Sequence, residues 1–223
     1  GVLYSFSEGR GYEAPGCIYG GDMPMAAQFR AAADKVNPDF IFAGEGPQDW
    51  LMQYYPVSYF RINSSSRAVC RYIDSAAPLV VAVTGVDDRE MLNLILMNRY
   101  IISYEPYNFK GHVTDFPLTL AYGKKIDALR RKYKSYLWDA ELRDTLGADV
   151  ISNGAHRHSV FVRSDGKRAV VIVNEKSDMT ITATIQLPNP GKLAVVTPEQ
   201  PQAQSTSGTL QIPARSAAVL MEL

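Results

Sequence analysis

The spacing of apolar residues changes once along the chain, near residue 150, and this change constrains the fold more than any other feature. Before it, short apolar strands alternate with amphipathic helical stretches. After it, only strands with a period of two and turns remain. Strands that alternate with helices indicate right-handed crossovers and a parallel sheet. The sequence therefore predicts an α/β domain over residues 1–150 and a small antiparallel β-sandwich over residues 151–223.

The composition is that of a globular protein with an ordinary amount of core-forming material. The chain has 223 residues, of which 46% are hydrophobic and 21% charged, and its formal net charge is zero. A neutral charge balance argues against nucleic acid as a partner, because binding the phosphate backbone needs a basic surface. No apolar run reaches the roughly 20 residues needed to span a bilayer. The two cysteines and three histidines match no metal-ligand spacing, so we expect no metal or cofactor.

Five strands are predicted in the α/β part, separated by helical stretches. They are Val2–Ser7, Phe40–Ala43, Val57–Ile62, Pro78–Val83 and Tyr100–Ser103. The unbroken apolar run Phe40–Ala43 is typical of a strand covered on both faces. A long helical region follows the fifth strand and runs to about Thr145, with Gly123 as a candidate break. A closed (β/α)₈ barrel needs eight strands, so the pattern indicates an open doubly wound sheet or the last five units of a barrel.

The second part of the chain predicts about six strands. A hairpin joins Val160–Arg163 to Ala169–Val173 across Asp165-Gly166. Met179–Leu187 alternates between apolar and threonine positions, which is typical of a half-buried strand. We interpret Pro198–Gly208 as an exposed loop, and His156 and His158 as surface residues.

Carboxylates follow several strands of the predicted parallel sheet. Glu8 lies just after the first strand, Glu45 ends the second and Glu105 follows the fifth, while Arg61 lies near the end of the third. The carboxyl ends of parallel strands meet at one rim of the sheet. Two carboxylates that face each other across a cleft are what glycoside hydrolysis requires. Arg61 could orient one of them or hold it ionised.

Structural roles compete for some of these acids. Three aspartates stand where helix caps are expected: Asp22, Asp87 and Asp115. Glu105 precedes a proline and could simply close a turn. Glu45 is the strongest catalytic candidate, because it ends an apolar strand between two glycines, too early to cap the next helix. The glycines would let backbone or ligand approach closely.

Aromatic and amide side chains near the same strand ends are candidates for substrate binding. Trp50, Tyr104 and Tyr107 could stack on sugar rings, although tyrosines fill cores more often. Asn108 lies in the polar and aromatic loop that follows the fifth strand. No phosphate-binding glycine loop, GxSxG elbow, HExxH or CxxC motif offers a competing chemistry.

The segments that carry these features resemble glycoside hydrolases of the alpha-amylase and melibiase type. Phe40–Glu45 is similar to the family strand that ends in Gly-Glu, and Leu129–Trp138 to the closing helix of the barrel. Arg168–Asn174 resembles the central strand of the terminal sandwich, and Ile212–Leu220 its last strand. The amylase nucleophilic aspartate and the His-Asp pair of the seventh strand have no counterpart, so the subfamily is unassigned.

The resemblance implies part of a (β/α)₈ TIM-type barrel followed by a β-sandwich, acting on an oligo- or polysaccharide. It implies that Glu45 is the general acid/base, with Glu8 or Glu105 as the second carboxylate. The chain lacks an initiator Met, which predicts a fragment, secreted or periplasmic if a signal peptide was removed. An incomplete barrel would expose a sheet edge and favour a homodimer. Two alternatives stay open: a non-catalytic carbohydrate-binding or assembly fragment, and an unrelated α/β enzyme with a sandwich tail.

Overall fold

The computed structural model of the chain describes residues 4–6, 16–17, 21–45, 51–62, 69–106 and 111–223. The backbone forms two compact units, Gly1–Tyr59 and Phe60–Leu223. The second unit contains the sandwich together with the helices that precede it. The predicted division into domains 1–150 and 151–223 stays a prediction.

In its described residues, the first unit contains short strands and one helix. Its elements are β1 (Tyr4–Ser5), β2 (Gly16–Cys17), α1 (Asp22–Asp34), β3 (Ala43–Glu45) and most of β4 (Val57–Phe60). β1 pairs antiparallel with β2, and β3 pairs parallel with β4 so that Glu45 lies opposite Tyr59. The parallel pairing agrees with the predicted fold class.

The prediction of a fully covered strand at Phe40–Ala43 is wrong. β3 begins only at Ala43, and the side chains of Phe40 and Ile41 are 49% and 66% exposed. The preceding residues form a turn, in which the N–H of Phe40 donates to the carbonyl of Asn37 and Arg30 donates to the carbonyl of Phe40 at 2.6 Å. The turn therefore lies just before the apolar run, and only the last residue of the run, Ala43, belongs to the strand.

Helix α1 also departs from the expected pattern. Gly21 occupies the cap position and makes no side-chain cap bond, so Asp22 does not cap the helix as predicted. Ala26 is the one buried residue of α1. Phe29 and Val36, which belong to the predicted apolar face, are exposed and line an open apolar hollow of about 450 Å³.

The α/β part of the second unit follows the predicted alternation. Its elements are α2 (Val69–Ile73), β5 (Leu79–Val83), α3 (Arg89–Met97), β6 (Ile101–Tyr104), a 3₁₀ turn (Val113–Asp115), α4 (Pro117–Lys132) and α5 (Lys134–Leu137). β5 and β6 pair in parallel from Val80↔Ile101 to Val83↔Tyr104. The long helix α4 is not broken at Gly123, which lies buried inside it, and it ends at Lys132, well before the predicted end near Thr145. No helix in the described ranges is both long and apolar enough to cross a bilayer.

The sandwich consists of two antiparallel sheets. Its strands are β7 (Glu141–Leu142), β8 (Asp149–Ser152), β9 (His156–Val162), β10 (Arg168–Asn174), β11 (Ile181–Gln186), β12 (Leu193–Val196), β13 (Gln204–Thr206), β14 (Thr209–Ile212) and β15 (Ala217–Glu222). One sheet has the order β13-β12-β15-β10-β9-β7, the other β14-β11-β8. The predicted inward face of β11 is confirmed, since Ile181, Ala183 and Ile185 are buried in the core between the sheets. The predicted loop Pro198–Gly208 contains β13, because its threonine- and serine-rich end pairs with β12.

Hydrogen bonds and ion pairs join the sandwich to α3. The guanidinium of Arg215, whose backbone φ is +54°, donates to Asp87 Oδ2 at 2.7 Å and to the Asp87 carbonyl at 2.6 Å. The Asn93 amide donates to the carbonyl of Arg215 at 3.0 Å. The prediction that Asp87 caps α3 is therefore wrong: its carboxylate binds the sandwich, and Asp88 occupies the cap position.

Two further predictions concerned Asp115 as a helix cap and the two histidines of β9 as surface residues. Asp115 accepts a hydrogen bond from the His112 N–H at 2.8 Å at the start of the 3₁₀ turn, as a capping residue does. His156 and His158 are half-buried and stacked, with ring centroids 5.9 Å apart, so they are not the surface residues that we predicted.

Candidate functional site

Glu45 is the last residue of β3, and its side chain is exposed. It lies beside an open hollow of about 320 Å³. The other residues that line the hollow are Asp22, Met25, Ala43, Gly44, Leu51, Tyr55 and Ser58. A carboxylate in this position is accessible to solvent and to a ligand that enters the hollow.

Gly44 has a different role from the one predicted from its small size. A Cβ atom added there would lie 3.3 Å from the Cβ of Tyr55, so the glycine makes room for this side chain. Tyr55 lines the same hollow as Glu45. The close approach that the glycine permits is therefore between two parts of the protein.

Glu105 follows the last residue of β6 and is only 1% exposed. Its Oε1 accepts a hydrogen bond from the Ser103 hydroxyl at 3.0 Å. Its Oε2 lies 3.4 Å from Nε and 3.3 Å from Nη2 of Arg61. The Glu105 N–H donates to the carbonyl of Val83 at 3.0 Å, which extends the pairing of β5 with β6 by one residue. The carboxylate is thus held by a cation and a hydroxyl at the carboxyl end of the strand pair.

The structure brings together two of the predicted site residues and adds a third. Arg61 contacts a strand-end carboxylate, as the sequence suggested, and that carboxylate is Glu105. Ser103 was not predicted. Side chains two apart in a strand point to the same face, so the alternation of β6 could have identified it as a neighbour of Glu105.

Tyr104 is placed apart from Glu105. Neighbouring residues in an extended strand point to opposite faces, so the phenol does not join the carboxylate. Its hydroxyl abuts Gly123 of α4, where an added Cβ would lie 2.9 Å from Cζ and overlap the oxygen. Burial, assisted by the nearby Asp127 carboxylate, raises the pKa of Tyr104 above its usual value. The side chain packs between β6 and α4 and also lines a groove beside β6. Its sugar-stacking role stays a prediction.

A groove of about 490 Å³ runs along the open edge of β6. Ile101 and Ile102 both line it, although their side chains point to opposite faces, so the groove follows the strand edge itself. Trp138 forms part of its wall. Among the described residues, β6 pairs with β5 alone.

Four of the predicted site residues cannot be placed in this way. Glu8, Trp50, Tyr107 and Asn108 lie outside the described residues. Their catalytic and substrate-binding roles stay predictions. Within the ranges that the structure describes, no group of three or more His, Cys, Asp or Glu side chains is arranged to hold a metal ion.

The comparisons with known proteins concern the sandwich and the overall fold. Residues 150–218 match the model of the glycosyl hydrolase family 30 β-sandwich domain. No protein with a curated description matches the chain.

Solved glycoside hydrolases share the fold. A family 27 β-L-arabinopyranosidase from Geobacillus stearothermophilus superposes with a TM-score of 0.53 at 8% identity, over 90% of this chain and 54% of that one. Alpha-galactosidase I from Mortierella vinacea superposes with a TM-score of 0.51 at 10% identity, over 91% of this chain and 63% of that one. The chain thus spans between half and two-thirds of their length. These findings support a glycoside hydrolase fold with a C-terminal β-sandwich, and they leave the subfamily undetermined.

Proposed function

We propose that this protein hydrolyses O-glycosidic bonds, using carboxylates at the carboxyl ends of parallel strands that form part of a (β/α)₈-type barrel. The observation that carries the proposal is the position of two glutamates: Glu45 is the last residue of β3, and Glu105 is the first residue after β6. Catalytic groups of such barrels are found at these strand ends. The match of residues 150–218 to a glycosyl hydrolase sandwich gives independent support.

Glu45 is the proposed general acid/base. Its exposed carboxylate can give a proton to a leaving oxygen in the hollow and then take one from water, as the reaction requires. No short hydrogen bond or ion pair to Glu45 is seen among the described residues, so its carboxylate is not committed to a structural partner there.

Glu105 is the proposed second carboxylate. Arg61 and the Ser103 hydroxyl both donate to it, and such donors stabilise the negative charge in a buried position. An ionised carboxylate can attack the anomeric carbon or activate water, whereas a general acid must carry a proton. Glu8 remains the other candidate for this role.

The substrate is an oligo- or polysaccharide. The structural relatives act on alpha-galactosides and β-L-arabinopyranosides according to their names, and the matched sandwich belongs to another hydrolase family. A panel of aryl glycosides should therefore include both anomers of galactose, L-arabinopyranose, xylose and glucose. Release of the aryl group by the wild-type chain is the expected result.

Variants separate the two roles. Glu45→Gln should lower turnover of an aryl glycoside with a poor leaving group by about 10²–10⁴-fold, while a dinitrophenyl glycoside, which needs no acid, is affected much less. Glu105→Gln should lower turnover of both substrates. Glu90→Gln, an exposed position on the first turn of α3, is the matched control and should leave turnover unchanged.

The melting temperature distinguishes chemistry from folding. Glu45→Gln should leave it nearly unchanged, because the side chain is exposed. Full turnover by Glu45→Gln would exclude the acid/base role, and the absence of turnover by the wild-type chain across the panel would contradict hydrolysis by this chain.

A further inference from the structure

The loop between β5 and α3, Thr84–Asp88, begins at the same end of the parallel strand pair as Glu105. We call it the β5–α3 loop. Val83 lies opposite Tyr104, so the next residues of the two strands, Thr84 and Glu105, are neighbours. The bond from the Glu105 N–H to the Val83 carbonyl, 3.0 Å long, keeps the strands paired up to this point. Neighbouring strands are about 4.8 Å apart, and paired side chains point to the same face of the sheet.

Thr84 is the part of this strand end that a ligand can reach. The residue is partly exposed, whereas Glu105 is only 1% exposed. No hydrogen bond to the Thr84 hydroxyl is seen among the described residues, and its oxygen is not one of the buried atoms that lack a partner. A hydroxyl donates one hydrogen bond and accepts up to two, so it suits the hydroxyl groups of a sugar.

A buried hydroxyl of α4 closes the β5–α3 loop. Thr119 is 1% exposed, and its hydroxyl donates to the Gly85 carbonyl at 2.8 Å and accepts from the Asp88 N–H at 2.8 Å. Asp88 Oδ2 also accepts from the Gly85 N–H at 3.1 Å. A Cβ atom added at Gly85 would lie 3.1 Å from the Asp88 side chain, so the turn is tight. One side chain of α4 therefore fixes the loop on both sides of its middle.

The sandwich holds the middle of the same loop through Arg215, which lies between β14 and β15. Its guanidinium binds both the carboxylate and the carbonyl of Asp87, at 2.7 Å and 2.6 Å. The backbone of Arg215 has a φ of +54°, in the left-handed region that is uncommon for a residue with a side chain. The Asn93 amide, which donates to the Arg215 carbonyl, helps to maintain this conformation. The sandwich therefore grips a loop whose first residue lies beside Glu105.

We infer that Thr84 is a substrate-binding residue of the Glu105 site and that Arg215 is a positioning residue that keeps Thr84 in place. The inference rests on the proposed function, in which Glu105 is the second carboxylate. Thr84 Oγ1 exchanges a hydrogen bond with a sugar hydroxyl close to the anomeric carbon, because the two side chains are neighbours across the strand pair. Misplacing a binding group by about 1 Å can cost about 10²-fold in rate, so a loop held from two sides matters for turnover. The sandwich then contributes to the reaction through a residue that does not itself touch the substrate.

Substitutions of Thr84 test the hydrogen bond, with kcat/KM for aryl glycosides as the measurement. Thr84→Val keeps the shape of the side chain but removes the hydroxyl, and it should lower kcat/KM about 5- to 50-fold. Thr84→Ser keeps the hydroxyl and should recover most of the activity. The loss should disappear for the monodeoxy glycoside that lacks the bonded hydroxyl, which identifies that hydroxyl. Thr180→Val, at an exposed position just before β11, is the matched control and should leave kcat/KM unchanged.

A double-variant cycle tests the positioning role. Arg215→Ala should lower kcat/KM about 3- to 30-fold, because it releases the loop. If Arg215 acts through Thr84, the Thr84→Val/Arg215→Ala double variant should be only slightly slower than Thr84→Val, whereas two independent effects would multiply. Arg143→Ala, which breaks the exposed pair with Glu141, is the control. If Arg215→Ala unfolds the chain, Asp87→Asn weakens the same contact from the loop side.

The outcomes separate this inference from the proposed function. The expected losses in a chain that hydrolyses aryl glycosides support both. Normal turnover by Thr84→Val overturns the inference and leaves the proposed function intact, and full multiplication of the two effects overturns the role of Arg215. If the wild-type chain hydrolyses no glycoside, titration calorimetry with galactose, L-arabinose, xylose and glucose replaces the rates. Binding that Thr84→Val weakens and Thr84→Ser keeps supports the sugar site and contradicts hydrolysis, while equal or absent binding overturns the inference.

Discussion

The sandwich and the α/β part of the chain differ in the burial of their apolar side chains and in the edges of their sheets. In the sandwich, the inward residues of β10 and β11 are buried in one shared core. In the α/β part, α1 buries only Ala26, and Phe29 and Val36 remain exposed in the described residues. The contrast shows that the sandwich buries its apolar face, whereas α1 and the turn after it leave large apolar side chains partly or wholly exposed.

The same contrast is seen at the edges of the sheets. The six-stranded sheet of the sandwich ends in β13 and β7, which have three and two residues. Short edge strands protect a sheet against association with another chain. β6, by comparison, borders an apolar groove of about 490 Å³ along its open edge. The six-stranded sheet of the sandwich therefore ends in short strands, whereas the edge of β6 borders a groove in the part of the chain that the structure describes.

The largest expected effect tests where the stability of the chain resides. Ile172 of β10 is fully buried, so Ile172→Ala should lower the free energy of unfolding by about 2–5 kcal/mol. Val36→Ala, at a position that is 88% exposed, should change it by less than about 0.5 kcal/mol. Urea unfolding followed by circular dichroism measures both. Equal losses would mean that Val36 is covered in solution, which would contradict the contrast.

The sequence predicted the sandwich better than the α/β part, for a physical reason. The period of two in β11 reports burial directly, because one face of the strand meets the core. The prediction of a covered strand at Phe40–Ala43 was wrong because apolar residues alone do not show where pairing with a neighbouring strand begins. Asp87 misled because its partner, Arg215, comes from the far end of the chain, and local spacing carries no information on it.

The sequence predicts the candidate site only as far as it predicts where strands end. The alternation of strands and helices placed Glu45 and Glu105 at strand ends, and the structure shows both there. The sequence pattern did not indicate that Glu105 is buried against Ser103 and Arg61, because burial depends on packing between strands. Tyr104 was grouped with Glu105 by nearness in sequence, although the strand period separates them.

An intermediate effect on stability is expected from ion pairs, one in the sandwich and one on α4. Arg168 and Glu222 form a two-point ion pair in the sandwich, with 2.7 Å between Nε and Oε2 and 2.8 Å between Nη2 and Oε1. Glu222→Gln should destabilise the chain by about 2 kcal/mol, because it weakens charge-assisted hydrogen bonds to a largely buried group. Asp127→Asn, which breaks the exposed pair with Arg131 on α4, should cost less than about 0.5 kcal/mol.

The pH dependence of stability sharpens this difference. Hydrogen bonds from Arg168 lower the pKa of Glu222 below its unfolded value. The contribution is therefore fully present above the unfolded pKa of about 4.3, and it is lost as the pH falls through the lower folded pKa. Urea midpoints between pH 3 and pH 7 should fall more steeply for the wild-type chain than for Glu222→Gln. Parallel curves would show that the pair contributes no pH-dependent stability.

The smallest expected effect concerns the open edge of β6, which we propose as the contact of a homodimer of this chain. Ile102→Lys places a charge in the groove beside the strand, and charged residues at an edge oppose strand pairing. Because Ile102 is only half-buried, the substitution should alter the stability of the monomer little, yet it should shift a weak dimer toward the monomer in sedimentation velocity runs. Val86→Lys, at a position that is 54% exposed and outside the groove, controls for the added charge. A wild-type chain that stays monomeric up to the highest soluble concentration would refute the dimer, and a dimer that both variants preserve would move the contact away from β6.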